Sequence, residues 1–267
     1  MTRPATPQRL RPPVPWAWAW AGLLAGTVLA LVLFAPAHWL ATAIAWSTSS
    51  HVVLQDARGT VWAGSAQWVL AGGRGSHDAV ALPSRMSWRL QPGWDGLQVT
   101  LNAACCTPQP VMMTLKPRWR GAILALTDVP SSHWPAGLLA GLGTPWNTLQ
   151  LEGQLQVSTR GLQLQWSPQR LDLQGGFELI ALDMASRLTT LRPMGSYRLT
   201  LEGGAAPVLR LSTLEGGLHL TGQGEWHDAR LRFSGEATTT PGREAVLANL
   251  LNLIGRRDGA RSLITLG

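Results

Sequence analysis

The stretch LQLEGQLQVS, residues 149–158, decides the fold class. Leu149, Leu151, Gly153, Leu155 and Val157 alternate with Gln150, Glu152, Gln154, Gln156 and Ser158. In an extended chain successive side chains point to opposite faces, so a period of two makes one apolar and one polar face. The rhythm returns in Leu162, Leu164 and Trp166, and in Leu171, Leu173, Gly175, Phe177 and Leu179. It continues in Tyr197, Leu199 and Leu201, in Leu214 to Trp226, and in Leu231, Phe233, Gly235 and Ala237. Gly-rich or polar turns separate the runs. The expected fold class is mainly β: a curved, largely antiparallel, Gly/Leu-rich sheet with one face on a core. Gly153, Gly175, Gly216 and Gly235 fall on the apolar face inside strands, where glycine marks a bend or a close backbone approach. Periodicity leaves open whether the curved sheet closes over its own core or holds lipid in a groove.

Two segments break the rhythm downstream. PSSHWPAGLLAGLG, residues 130–143, reads as a small helix between two halves of the domain, split near 130–145. In residues 240–255, Thr240 can cap, Pro241 fits the first helical position, and Leu247, Leu250, Leu251 and Ile254 form one stripe before Gly255. This predicts a short amphipathic helix, with Arg256 and Arg257 favourable at its C-terminal dipole, then a final strand over Ser262–Leu266. Toward the other end, QDARGTVWAGSAQWVL, residues 55–70, reads as the first hairpin. Asp56-Ala57-Arg58-Gly59 has the Asp-first, Gly-fourth form of a type I turn. Trp62, Gly64, Ala66, Trp68 and Leu70 would share the core face of the returning strand. Arg58 is left at the turn, a candidate contact for a lipid phosphate or a partner's carboxylate.

Upstream of that hairpin there is no Asp, Glu, Lys or Arg between Arg11 and Asp56. Residues 16–37 are long enough for a transmembrane helix, which takes about 20 apolar residues. Arg3, Arg9 and Arg11 precede this run, which places a tail of residues 1–15 in the cytoplasm and exports the chain beyond the helix. Trp16, Trp18 and Trp20 would sit at the cytoplasmic headgroups and Trp39 at the opposite interface, where amphipathic rings are favoured. Pro36 ends or bends the helix. Residues 38–50 then read as a membrane-proximal interfacial helix and linker, and 51–267 as a periplasmic β domain. Ala35-Pro36-Ala37 also has the small-x-small form of a signal cleavage site, but the apolar core exceeds the about 7–15 residues of a signal peptide.

In an oxidising compartment the only two cysteines, the adjacent Cys105 and Cys106, gain meaning. A strained vicinal disulfide, buried thiols and a bond to a partner all remain open. With no further Cys and no nearby His, zinc is disfavoured.

The net charge of +7 is spread singly along the chain, without the basic stripe and aromatic platforms of a nucleic-acid surface. Catalysis needs convergent polar groups, and no zinc-protease helix, nucleophile elbow, P-loop or dinucleotide fingerprint is present. His77-Asp78 and His227-Asp228 are adjacent pairs that point to opposite faces when extended. His133 and His219 lack ligand-spaced companions. Asp172, Glu178, Asp183, Glu202 and Glu215 read as solvated. The expectation is a protein without catalytic residues, cofactor or metal.

Several words occur in order: Arg58-Gly59-Thr60-Val61-Trp62-x-Gly64, Leu142-Gly143-Thr144-Pro145-Trp146-Asn147-Thr148-Leu149, Gly195-Ser196-Tyr197-Arg198, and Leu250-Leu251-Asn252-x-Ile254-Gly255-Arg256-Arg257. From about Pro36 onward the chain resembles the type II secretion system protein N family and, distantly, AsmA-type proteins. The resemblance implies an inner-membrane accessory component of the machine that moves folded proteins out of the periplasm, with no catalytic residue to carry over. Its implied partners are other inner-membrane and periplasmic secretion components, met by sheet edges and by loops such as Leu142–Asn147, which makes Trp146 and Asn147 candidate contacts. The AsmA likeness implies instead a lipid-binding or lipid-transfer domain with membrane lipids on an apolar sheet face. An uncovered apolar groove would favour lipid, a covered core the scaffold.

Overall fold

The alternating runs become strands of one sixteen-stranded antiparallel sheet. The computed structural model describes residues 16–168, 170–227 and 230–266. Two compact units result, residues 1–35 and residues 36–267. The first contains α1 (Trp16–Leu33). The second opens with α2 (Ala37–Ser47), followed by β1 (Val52–Gly59), β2 (Ala63–Ala71), β3 (Ala79–Ala81), β4 (Met86–Gly93), β5 (Gly96–Ala103), β6 (Val111–Arg118), β7 (Gly121–Leu126) and β8 (Val129–Pro135). A 3-10 helix (Ala136–Leu142) and α3 (Trp146–Leu149) come next. Then come β9 (Leu151–Ser167), β10 (Arg170–Ser186), β11 (Gly195–Glu202), β12 (Val208–Gly216), β13 (Leu218–His227), β14 (Arg230–Thr239), α4 (Glu244–Ile254), β15 (Arg256–Asp258) and β16 (Arg261–Leu266).

Strand order nearly follows chain order, from β1 at one edge to β16 and β15 at the other. β7 and β8 share β9, on its outer and inner stretches, and β3 extends the pairing of β2 beside β4. At the centre, β9 and β10 form a long hairpin whose register shifts at two places. Gly175, at φ +82°, lies at one shift, and Gly153, at φ +132°, and Asp183, at φ +49°, lie at the other. A Cβ on Gly175 would lie 2.2 Å from the Gly161 carbonyl oxygen, so backbone fills the place of a side chain. The in-strand glycines therefore permit bulges, which bend the ribbon and raise its twist.

One face of the sheet carries the core. Leu155, Met184, Met194, Tyr197, Leu218 and Ala237 meet Leu247, Leu250 and Leu251 of α4, the stripe expected of that helix. Leu82, Met86, Ala103, Cys106 and Leu138 form a second cluster, and Ala37, Leu54, Ala66 and Trp88 a third beneath α2. Trp68 joins the second to the third, and Trp134 joins the first to the second.

Four expectations are corrected. A single helix over 16–37 is not formed: α1 stops at Leu33 and α2 starts at Ala37. Its 18 residues rise about 27 Å, and among the described residues no helix is long and apolar enough to cross a membrane. Asp56–Gly59 is not the hairpin turn. It belongs to β1 as a bulge with Asp56 at φ +50°, and the chain turns at Thr60-Val61-Trp62, which removes Trp62 from the strand. Part of 130–143 is strand β8, because Trp134 and Ser132 pair with Leu155 and Val157 of β9, and only Ala136–Leu142 is helical. The C-terminal helix begins at Glu244, not Pro241, because Thr240 is held by the Gly217 carbonyl in the turn before it. The tail expected over residues 1–15, and Asp228, lie outside the described residues.

Candidate functional site

Consecutive antiparallel pairing sends every second connection to the same end of the sheet. The tight hairpins β1–β2, β4–β5, β6–β7 and β9–β10, and the β11–β12 connection, all turn at one end, here the rim. The longer connections, the 3-10 helix and α3 belong to the opposite, packed end, as does the entry to α4. Pro36 is bridged to Thr60, so the domain begins at the rim.

Arg58, Asp56 and Arg85 form a cluster on the bulge of β1. Arg85 donates to Asp56 Oδ2 at 2.8 Å and to the Asp56 and Ser65 carbonyls, and Arg58 donates to Asp56 Oδ2 at 2.9 Å. The Arg85 and then the Arg58 guanidinium hold the exposed Asp56 carboxyl below its ordinary value. Arg58 is thus exposed but already paired. Such a pair contributes little to stability.

Asn147 sits in the packed end. Its amide nitrogen donates to Asp78 Oδ2 at 2.8 Å, and the Asp78 N–H donates to Ser76 Oγ, so α3 is tied to the loop after β2. Trp146 beside it is about one-third exposed. Asn147 therefore clasps the domain, while Trp146 is left partly exposed. Cys105 and Cys106 are joined by a disulfide in the β5–β6 connection. The Cys105 N–H donates to Ser84 Oγ, the Cys106 carbonyl accepts from the His133 N–H, and the Cys106 side chain is buried. Arg256 and Arg257 lie on β15, the outermost strand, exposed and without an ion pair among the described residues. Trp16, Trp18 and Trp20 are exposed on α1, and Trp39 is half-exposed on α2.

Among the described residues no group of His, Cys, Asp and Glu could hold a metal ion. The His133 ring meets the Ser131 hydroxyl, and the His219 ring the Thr240 hydroxyl. Burial pushes the Tyr197 phenol well above its ordinary value, and its hydroxyl donates to the Leu218 carbonyl as a core bond. A tight cleft lined by Ser158, Glu178 and Thr200 holds about 50 Å³, room for a water or two.

Two features of the rim escaped the sequence reading. Trp94 and Trp119 each occupy the first position of a two-residue hairpin loop and are fully exposed, and Trp166 is 67% exposed next to the last residue of β9. The signal was there in Gly93-Trp94-Asp95-Gly96 and Arg118-Trp119-Arg120-Gly121, turns with tryptophan where such loops favour Asn, Asp or Gly. Beneath the tips run two apolar rungs. Leu90, Val99, Met113 and Leu126 are register neighbours, as are Pro92, Leu97, Leu115, Leu124, Leu164 and Leu173. Directly opposed residues share a face, and these continue the face of Trp88 and Leu101. Pro92 and Leu115 are exposed and the rest only partly buried, because α2 packs on β1, the 3-10 helix on β3 and β9, and α4 on β14 to β16.

With this geometry in place, the comparisons with known proteins are decisive for one point. A family model described as type II secretion system (T2SS), protein N, matches residues 50–264. The chain belongs to that family, and through it to type II protein secretion. No curated protein and no solved structure matches.

Proposed function

We propose that this family member is a non-enzymatic scaffold of the secretion machine, held at the inner membrane, with its β domain in the periplasm meeting other components through the sheet edges. The carrying observation is the open strand order, which leaves β1 and β15 each with an unpaired side. A free edge offers backbone donors and acceptors to a partner's strand, and the unpaired Arg256 and Arg257 on β15 select an acidic one. Placement draws on Arg3, Arg9 and Arg11, which precede an uncharged run that is longer than α1 alone. The test is crosslinking in membranes followed by mass spectrometry. The charge reversals Arg256→Glu and Arg257→Glu should abolish recovery of secretion components, and unchanged recovery sinks the edge reading. A reporter fused after Gly267 should be active in the periplasm only.

A second reading rests on the rungs beneath the rim. A half-covered apolar ladder on an otherwise packed face suits acyl chains. Phospholipid should then co-purify in fixed ratio and be lost on Leu115→Glu with Leu124→Glu; lipid-free wild-type protein would exclude this.

A further inference from the structure

The rim places Trp94, Trp119 and Trp166 together at one end of the sheet, the first two on loops that leave their rings wholly exposed and the third near the end of β9. A tryptophan left wholly in water spends its large apolar surface on nothing within the fold, yet these rings recur on neighbouring hairpins. Arg118 and Arg120 flank Trp119 and make no ion pair among the described residues. Cationic groups beside an exposed indole match the bilayer interface, where phosphates lie above the first methylenes and amphipathic rings are favoured. The chain also enters this domain at the same end: Pro36, bridged to Thr60, directly succeeds the apolar segment that ends at Ala35.

We propose that the tryptophan-tipped rim is a membrane-contact surface, which seats the indoles of Trp94, Trp119 and Trp166 among lipid headgroups and sets Arg118 and Arg120 against anionic phosphates. This rests on the membrane placement proposed above and adds to it a second attachment, made by the β domain itself. Its function would be to hold the sheet upright, with the rungs opening toward lipid and the packed end directed away from the bilayer.

The full chain is reconstituted in vesicles of phosphatidylethanolamine and phosphatidylglycerol, with and without brominated acyl chains. Wild type is compared with the triple variant Trp94→Ser, Trp119→Ser and Trp166→Ser. All three positions are exposed, and equal thermal melts of the two proteins verify the fold. The emission lost in the variant isolates the rim indoles from the other tryptophans. That difference emission should be blue-shifted, quenched about twofold by brominated lipid and spared by aqueous acrylamide. Arg118→Glu with Arg120→Glu should return it toward the aqueous spectrum. Floating protein whose difference emission is quenched by acrylamide and not by brominated lipid overturns the rim contact alone, and leaves the tips for a protein partner. Protein that fails to float with the vesicles overturns the membrane placement and the rim contact together.

Discussion

The two ends of the β domain are built from the same strands and differ in what covers them. At the packed end α4, the 3-10 helix and α3 join Met184, Met194, Tyr197 and Leu218 in one cluster, and the disulfide connection joins Leu82, Met86 and Leu138 in another. At the rim the strands end in short hairpins, the apolar rungs are half-covered, and tryptophans stand in solvent. Stability resides at the first end, and the proposed membrane contact falls at the second, because apolar groups contribute to folding only where the fold removes them from water. A sheet this wide has a core face larger than four short helical segments can cover, and the remainder stays partly exposed.

Substitutions at each end should separate the two roles. The largest effect is expected from Leu247→Ala or Leu251→Ala, both fully buried on the core face of α4, at about 2–5 kcal/mol in chemical denaturation. An equal loss from Trp119→Ala would break the comparison. Gly175→Ala should cost on the order of 1–3 kcal/mol, because its positive φ and the Gly161 carbonyl leave no place for a Cβ. Ser262 is buried and donates to the Leu251 carbonyl at 2.8 Å, so Ser262→Ala should lower stability by about 1 kcal/mol in the same assay. Trp119→Ala, by contrast, should stay within about 0.5 kcal/mol of wild type, since it removes no contact within the domain.

The smallest effect belongs to Asp56 and appears only in acid. Its folded pKa is depressed below the ordinary 3.8 by Arg85 and Arg58, so the unfolded chain binds the proton first as pH falls. The contribution is therefore complete above that value and is lost as pH falls through the depressed one. Asp56→Asn should flatten that part of the stability profile and leave neutral pH nearly unchanged; a difference concentrated near neutral pH would exclude this assignment.

Much of this architecture was legible in the residues alone. The period of two named the strands, the stripe Leu247, Leu250, Leu251 and Ile254 named α4, and the ordered words named the family now matched over residues 50–264. Local signals failed where distant partners decided. Asp56-Ala57-Arg58-Gly59 has turn chemistry, but Arg85, far along the chain, holds Asp56 in a bulge and moves the turn to Thr60–Trp62. Pro130–Pro135 lacks strand alternation, yet β9 is long enough to offer β8 a free edge beyond β7. The candidates Arg58 and Asn147 were sought as free contacts, and each has an internal partner that no spacing announces.

By itself the sequence determined the class of structure and, between the bulges, the face that the alternating residues take, because alternation is a property of the extended backbone and needs no partner. Only the tertiary structure decided which part of that apolar face is covered and which tryptophans gather at one rim. Those depend on strand order, on the reach of a few short helices, and on pairings between residues far apart in the chain.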